Sequence, residues 1–142
     1  MLNYCLGFAF DSMMKEVILV RKNRPDFLAG LLNGVGGKIK ENETARDAMA
    51  REFKEEAGVL VYDWIWLADI QAPEMGYRIY VYYATDDIIS LVKTTTDEQI
   101  VKCGMDSSKL KDLAPNVGWL LEFCTSRSAG IRLPVEIFEM GR

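Results

Sequence analysis

GGKIKENETARDAMAREFKEEAGV, residues 36–59, passes from a glycine-rich turn into an amphipathic stretch crowded with like charge. From Thr44 onward, Ala45, Met49, Phe53 and Ala57 recur at i+4 and make one apolar stripe. Thr44 is a natural N-cap and Gly58 suits the C′ position, so the spacing predicts a helix from Ala45 to Ala57. Glu52 and Glu56 then lie one turn apart on one face, with Glu55 about 100° round from Glu56. Like charges so placed repel by only roughly 0.2–0.5 kcal/mol per pair in an isolated helix. Repulsion alone therefore does not separate a ligand site from a solvated acidic face carrying an Arg51–Glu55 pair. The preceding NGVGGK favours a site, because its glycines let the backbone approach closely and turn carbonyls toward the carboxylates. Hard oxygen donors of this kind suit Mg²⁺ or Mn²⁺.

Upstream, LNYCLGFAF and EVILVRK are β-rich runs separated by DSMMK and read as a hairpin. NRPDFLAGLLNGVGGKIKENE follows without helical period and reads as a long loop, a feature that in a compact domain is usually functional. Downstream, VLVYDWIWLADIQ and YRIYVYYAT read as strands. The second is apolar on both faces, which predicts a central strand covered by helices on each side. SLVKTTTDEQIV fits strand or loop equally. PNVGWLLEFCTSR carries Val117, Leu120, Leu121 and Cys124 at helical spacing behind Pro115, and IRLPVEIFEM reads as a short edge strand confined by Pro134. No repeat or linker interrupts the chain, so residues 1–142 are expected to form one domain.

With 49% hydrophobic and 27% charged residues, six Tyr, six Phe and three Trp, the composition is that of a globular protein. A net charge of -4 argues against tracking a nucleic-acid polymer, which needs clustered Lys and Arg. It leaves open a small phosphorylated ligand, since a divalent cation can invert the sign of an acidic pocket. Cys5, Cys103 and Cys124 lack CxxC spacing and suggest neither a disulfide framework nor a zinc site. The start meets Asp11 too early for a secretory signal, and no apolar run is long enough to span a membrane, so a cytoplasmic location is expected. The absence of histidine removes the commonest general base and leaves acid–base work to carboxylates, Lys, Tyr or Cys.

Gly37, Glu43, Arg51, Glu52, Glu55, Glu56 and Gly58, with Phe53 and Val59 at the bulky apolar positions, fill every fixed position of GX5EX7REUXEEXGU. On this motif the chain resembles the Nudix hydrolases, and the order of elements on both sides is similar to theirs. The resemblance implies an α/β/α sandwich with a mixed β-sheet, and hydrolysis by water of a nucleoside diphosphate linked to another group. Mg²⁺ is the implied cofactor, with Mn²⁺ as a substitute. Carried over by position, Glu52 and Glu56 are the principal metal ligands, with Glu55 and the Gly36 carbonyl as further donors. Arg51 orients the glutamates, Glu43 supports the loop or binds through water, and Gly37 and Gly58 serve the backbone. The base is Glu55 or Glu52; Glu98 lies where some relatives place a later base, against the simpler reading of a solvated loop carboxylate.

For substrate, a (d)NTP pyrophosphohydrolase leads, with oxidised purine nucleotides in view. Asn33 resembles a base-contacting Asn of the oxidised-purine hydrolases but also reads as an Asn-Gly turn. Asn116 falls where those relatives read the base, without their acidic pair. Arg21, Lys22 and Arg24, ending the second strand before the glycine loop, read equally as phosphate-neutralising groups and as surface charge for solubility. ADP-ribose, nucleotide-sugar and dinucleoside polyphosphate hydrolysis are the alternatives, weakly marked by Pro73 and Tyr77, as is a noncatalytic nucleotide-binding regulator. A homodimer is compatible with the sequence.

Overall fold

Alternation along the strands sets the architecture. In β1 (Leu2–Phe10), Phe8 and Phe10 enter one hydrophobic core while Cys5 and Ala9 enter another. In β2 (Glu16–Arg21), Val17 and Leu19 go to the first and Ile18 and Val20 to the second. A strand apolar at every position can bury both faces only between two layers. Helix α1 (Ala45–Ala57) supplies one layer through Ala48, Met49, Phe53 and Ala57. Helix α2 (Val117–Ser126) supplies the other through Val117, Leu120, Leu121 and Cys124. The computed structural model describes residues 1–106, 110–126 and 131–140, and these form the expected α/β/α sandwich around a mixed eight-stranded sheet. The tail of PNVGWLLEFCTSR at Arg127 lies outside the described residues.

The expected hairpin forms, but β1 and β2 pair only at Ala9↔Ile18 and Phe10↔Val17. The first half of β1 is taken by a strand that the sequence reading placed in a loop: β4 (Val35–Lys38) runs antiparallel to it, with Leu6↔Gly36 and Cys5↔Gly37. Just before it, β3 (Leu32–Asn33) pairs with β2. Glycine disfavours strands locally and erases the alternation signal, so β4 exists because β1 offers it a ladder rather than through its own propensity. β5 (Ile65–Ala72) begins later than the VLVYDWIWLADIQ run suggested. A register shift between Trp66 and Ala68 sends both Leu67 and Ala68 into the α2-side core.

β6 (Tyr77–Thr85) is central, parallel to β1 and antiparallel to β5. The ambiguous SLVKTTTDEQIV splits into the end of a 3-10 turn (Asp87–Leu91), an extended connection, and the start of β7 (Gln99–Gly104), which pairs with β2. β8 (Val135–Phe138) lies parallel to β5 at the sheet edge. Among the described residues, no helix is long and apolar enough to cross a membrane.

Candidate functional site

Local capping fixes where the acidic helix begins and stops. Thr44 Oγ1 accepts from the Asp47 N–H at 3.1 Å, and Gly58, at φ 80°, donates its N–H to the Lys54 carbonyl at 2.9 Å. Within that frame Arg51 gathers the surrounding oxygens. Its Nε and Nη2 donate to the two carboxylate oxygens of Glu43 at 2.6 and 2.9 Å, and Nη2 also reaches the Lys38 carbonyl at 3.2 Å. Its Nη1 donates to Glu52 at 2.9 Å and to Glu55 at 3.2 Å. Glu43 in turn accepts the Lys40 N–H at 3.0 Å, closing the turn before the helix. The bidentate Arg51 guanidinium is the main reason the Glu43 carboxyl is lowered to about 2.

Glu56 is the exception in this network. One carboxylate oxygen, Oε2, is buried with no hydrogen-bond partner among the described residues. Burial, and then the charge of Glu52, push its pKa up to about 8. A carboxylate so placed calls for a proton or a cation. Gly37 keeps the space beside Glu52 open, since a Cβ there would come within 2.6 Å of the Glu52 carboxylate. Gly36 is equally constrained for another reason: its Cβ would fall 2.0 Å from the Cys5 carbonyl oxygen. Among the described residues, no three acidic or thiol side chains already converge on a single point, and Glu52 and Glu55 lean on Arg51. The donor set still fits a hard divalent cation: a buried carboxylate oxygen without a partner on Glu56, and the neighbouring Glu52 carboxylate seated against Gly37.

A cavity of about 280 Å³ opens on the β4 side of this cluster and includes Gly36 and Gly37 in its wall. Leu6, Leu28 and Ile79 make it apolar, Lys22 and Arg24 bring positive charge, and Asn33 and Cys5 also line it. Burial pushes the Cys5 thiol up to about 12, which keeps it a neutral packing group. Asn33 ends strand β3, paired with Val20, rather than forming an Asn-Gly turn; its Oδ1 accepts the Gly34 N–H at 2.8 Å and the residue lines the cavity. A second depression of about 530 Å³ lies beside Glu52 between Lys38 and Glu41.

Two expected substrate residues sit apart from the cavity lining. Arg21 Nη1 donates to the Gly30 carbonyl at 2.8 Å and braces that turn. Asn116 is exposed, donates to Glu139 at 3.0 Å and accepts from Trp119 Nε1 at 3.0 Å. Tyr77 also donates to Glu139. Glu98 departs from the solvated-carboxylate reading: it is 5% exposed, bonded to Lys22 and to the Asn23 N–H. Burial opposes its charge, yet the Asn23 N–H and the Lys22 ammonium hold its carboxyl below the ordinary value. Leu6, Leu28 and Ile79 went unmarked as cavity residues, because nothing in an apolar strand residue distinguishes a cavity wall from a core.

An acidic helix capped against a glycine strand, on a mixed sheet between two helices, is the arrangement of the Nudix hydrolases. The NUDIX domain family model matches residues 6–118, and the chain belongs to that family. Among relatives, CTP pyrophosphohydrolase of Escherichia coli (strain K12) is 27% identical over 116 residues, covering 80% of this chain and 86% of its own. Oxidized purine nucleoside triphosphate hydrolase of Mus musculus is 47% identical over 47 residues, 33% of this chain and 30% of its own. Of solved structures, a NUDIX hydrolase from Nitrosomonas europaea superposes with TM-score 0.77 at 16% identity, covering 99% of this chain and 79% of its own. MutT NUDIX hydrolase from Burkholderia pseudomallei gives 0.68 at 21% identity, covering 85% and 95%. Nudix hydrolases generally use a divalent metal.

Proposed function

We propose that the chain is a divalent-metal-dependent nucleoside triphosphate pyrophosphohydrolase that releases a nucleoside monophosphate and pyrophosphate. The observation that carries this reading is the junction at Gly36–Gly37. There the acidic face of α1, with the orphaned Glu56 oxygen, meets a cavity that holds Lys22 and Arg24. Glu52 and Glu56 would hold the cation, with Glu55 and the Gly36 carbonyl as further donors. A bound Mg²⁺ supplies positive charge to the phosphates and acidity to the attacking water. Water adds to one phosphorus, the P–O–P bridge breaks, and its oxygen leaves on the departing phosphate. The proton of the water passes to a signature carboxylate, Glu55 or Glu52. Arg51 keeps both aligned, and Lys22 and Arg24 balance phosphate charge.

Two relatives named for nucleoside triphosphates support that class, and they differ in the base. Asn33 has its oxygen engaged by Gly34, so its Nδ2 is the group left to meet an acceptor on a base edge. The test is a panel of purine, oxidised purine and pyrimidine triphosphates, ADP-ribose and dinucleoside polyphosphates with Mg²⁺, with products separated by chromatography. Monophosphate plus pyrophosphate from triphosphates is the expected result; cleavage confined to ADP-ribose or dinucleotides overturns it. Asn33→Ala should raise KM selectively for the preferred base by roughly 5- to 150-fold, the worth of about 1–3 kcal/mol. Equal losses on all bases would reduce Asn33 to a structural residue at the end of β3.

A further inference from the structure

Residues 93–98 join three parts of the site. The Lys93 N–H donates to the Ala57 carbonyl at 3.0 Å, and Thr95 Oγ1 donates to the Glu55 carbonyl, which ties the segment to the last turn of α1. At its other end Asn23 Nδ2 donates to the Asp97 carbonyl at 2.7 Å, and Arg24 pairs with the Asp97 carboxylate. Next to the second tie, each oxygen of the Glu98 carboxylate accepts a hydrogen bond: Oε1 from Lys22 Nζ at 2.9 Å and Oε2 from the Asn23 N–H at 2.6 Å. The Glu98 side chain is 7% exposed and that of Lys22 20%. Lys22 lines the cavity, and both Lys22 and Glu98 lie close enough to Glu56 to act on its charge in opposite senses.

We propose that Glu98 is a positioning residue that holds the Lys22 ammonium at the junction of cavity and acidic helix, and so acts on the diphosphate through Lys22 rather than as the base. This rests on the nucleotide reading above. A lysine on a flexible four-carbon stem loses rotamer freedom when a ligand alone must order it. Glu98 orders it beforehand. One ammonium N–H serves Glu98, and the remaining donors are left for phosphate oxygens. A carboxylate with both oxygens occupied by a cation and a backbone N–H is a poor proton acceptor.

The test is calorimetric titration of inorganic pyrophosphate, with Mg²⁺ present, into wild type, Glu98→Gln, Lys22→Ala and the double variant, with melting curves and steady-state triphosphate kinetics alongside. Each single substitution should weaken pyrophosphate binding roughly 10-fold. The double should be no weaker than Lys22→Ala alone, because the two act as one unit. In turnover, the loss of kcat/KM in Glu98→Gln should be carried mainly by KM, and Glu98→Asp should recover part of it by restoring the charge. A loss carried by kcat of at least ~100-fold with KM unmoved would make Glu98 the base and overturn the proposal. Additive losses in the double, a lower melting temperature with unchanged affinity, or no pyrophosphate binding by wild type would overturn it as well. If wild type binds pyrophosphate but hydrolyses no triphosphate, the functional reading fails while the titrations still decide the role of Glu98.

Discussion

Single atoms decide much at this site, and two neighbouring glycines show how differently. An added Cβ at Gly36 meets the Cys5 backbone oxygen at 2.0 Å, which cannot yield without opening the β1–β4 ladder. Gly36→Ala should therefore lower stability by about 1–3 kcal/mol or more, read as a fall in the denaturant midpoint. At Gly37 the obstacle is the Glu52 carboxylate, the mobile end of a side chain. Gly37→Ala should melt near wild type yet lose activity as Glu52 is displaced; the reverse pattern would show that the Glu52 cradle is irrelevant. Glu56→Gln replaces a half-buried carboxylate, one oxygen of which has no hydrogen-bond partner among the described residues, by a neutral group of the same shape. It should keep the fold and lower turnover by at least ~10²-fold, and a near-wild-type rate would place the metal on another face of the helix. The signature made these residues legible from spacing alone. The two different reasons for the paired glycines were not, because both depend on what β1 and α1 bring against them.

At the scale of elements, α1 and the turn before it act as one unit through Glu43 and Arg51. The Glu43 side chain is only 15% exposed, and its carboxyl is held at about 2 against an ordinary 4.5, chiefly by Arg51. Because the folded value is depressed, the pair's contribution is complete above about pH 4.5 and is lost as pH falls from there toward 2. Charge-assisted hydrogen bonds of this kind contribute about 1.5–3 kcal/mol. Acid melting curves should therefore show wild type losing its advantage over Glu43→Gln between pH 4.5 and 2; a constant gap across that range would contradict the linkage. The helix was readable in full from its stripe and caps, since those signals are local. The elements around the cavity were less so: β3 and β4 fell inside an apparent loop, because two glycines in succession carry no alternation. Strand β7 was ambiguous because its six residues, Gln99–Gly104, alternate too weakly to declare a face without β2 beside them.

For the molecule as a whole, the acidic helix is a folding liability that a bound divalent cation would relieve. The orphaned Glu56 oxygen and its neighbour Glu52 destabilise the folded chain when both are charged, so Mg²⁺ or Mn²⁺ should bind the folded state preferentially and raise the melting temperature. At about ten times the dissociation constant the expected rise is about 3–6 °C, abolished in Glu56→Gln. Chelation should reverse it and remove activity together, and an unchanged melting curve in saturating metal would contradict the assignment. By itself the sequence determined the family, the acidic helix with both its ends, the central strands and the covering of the sheet on two sides. All of these rest on periodicity or motif spacing within one segment, and local spacing survives in a string of letters. Only the tertiary structure decided which residues share the cavity. It joined Lys22 to Glu98 across 76 positions, drew Arg21 and Asn116 away to other partners, and set a two-glycine strand against Cys5. Those pairings depend on strand order and register, which long-range packing chooses and no single segment encodes.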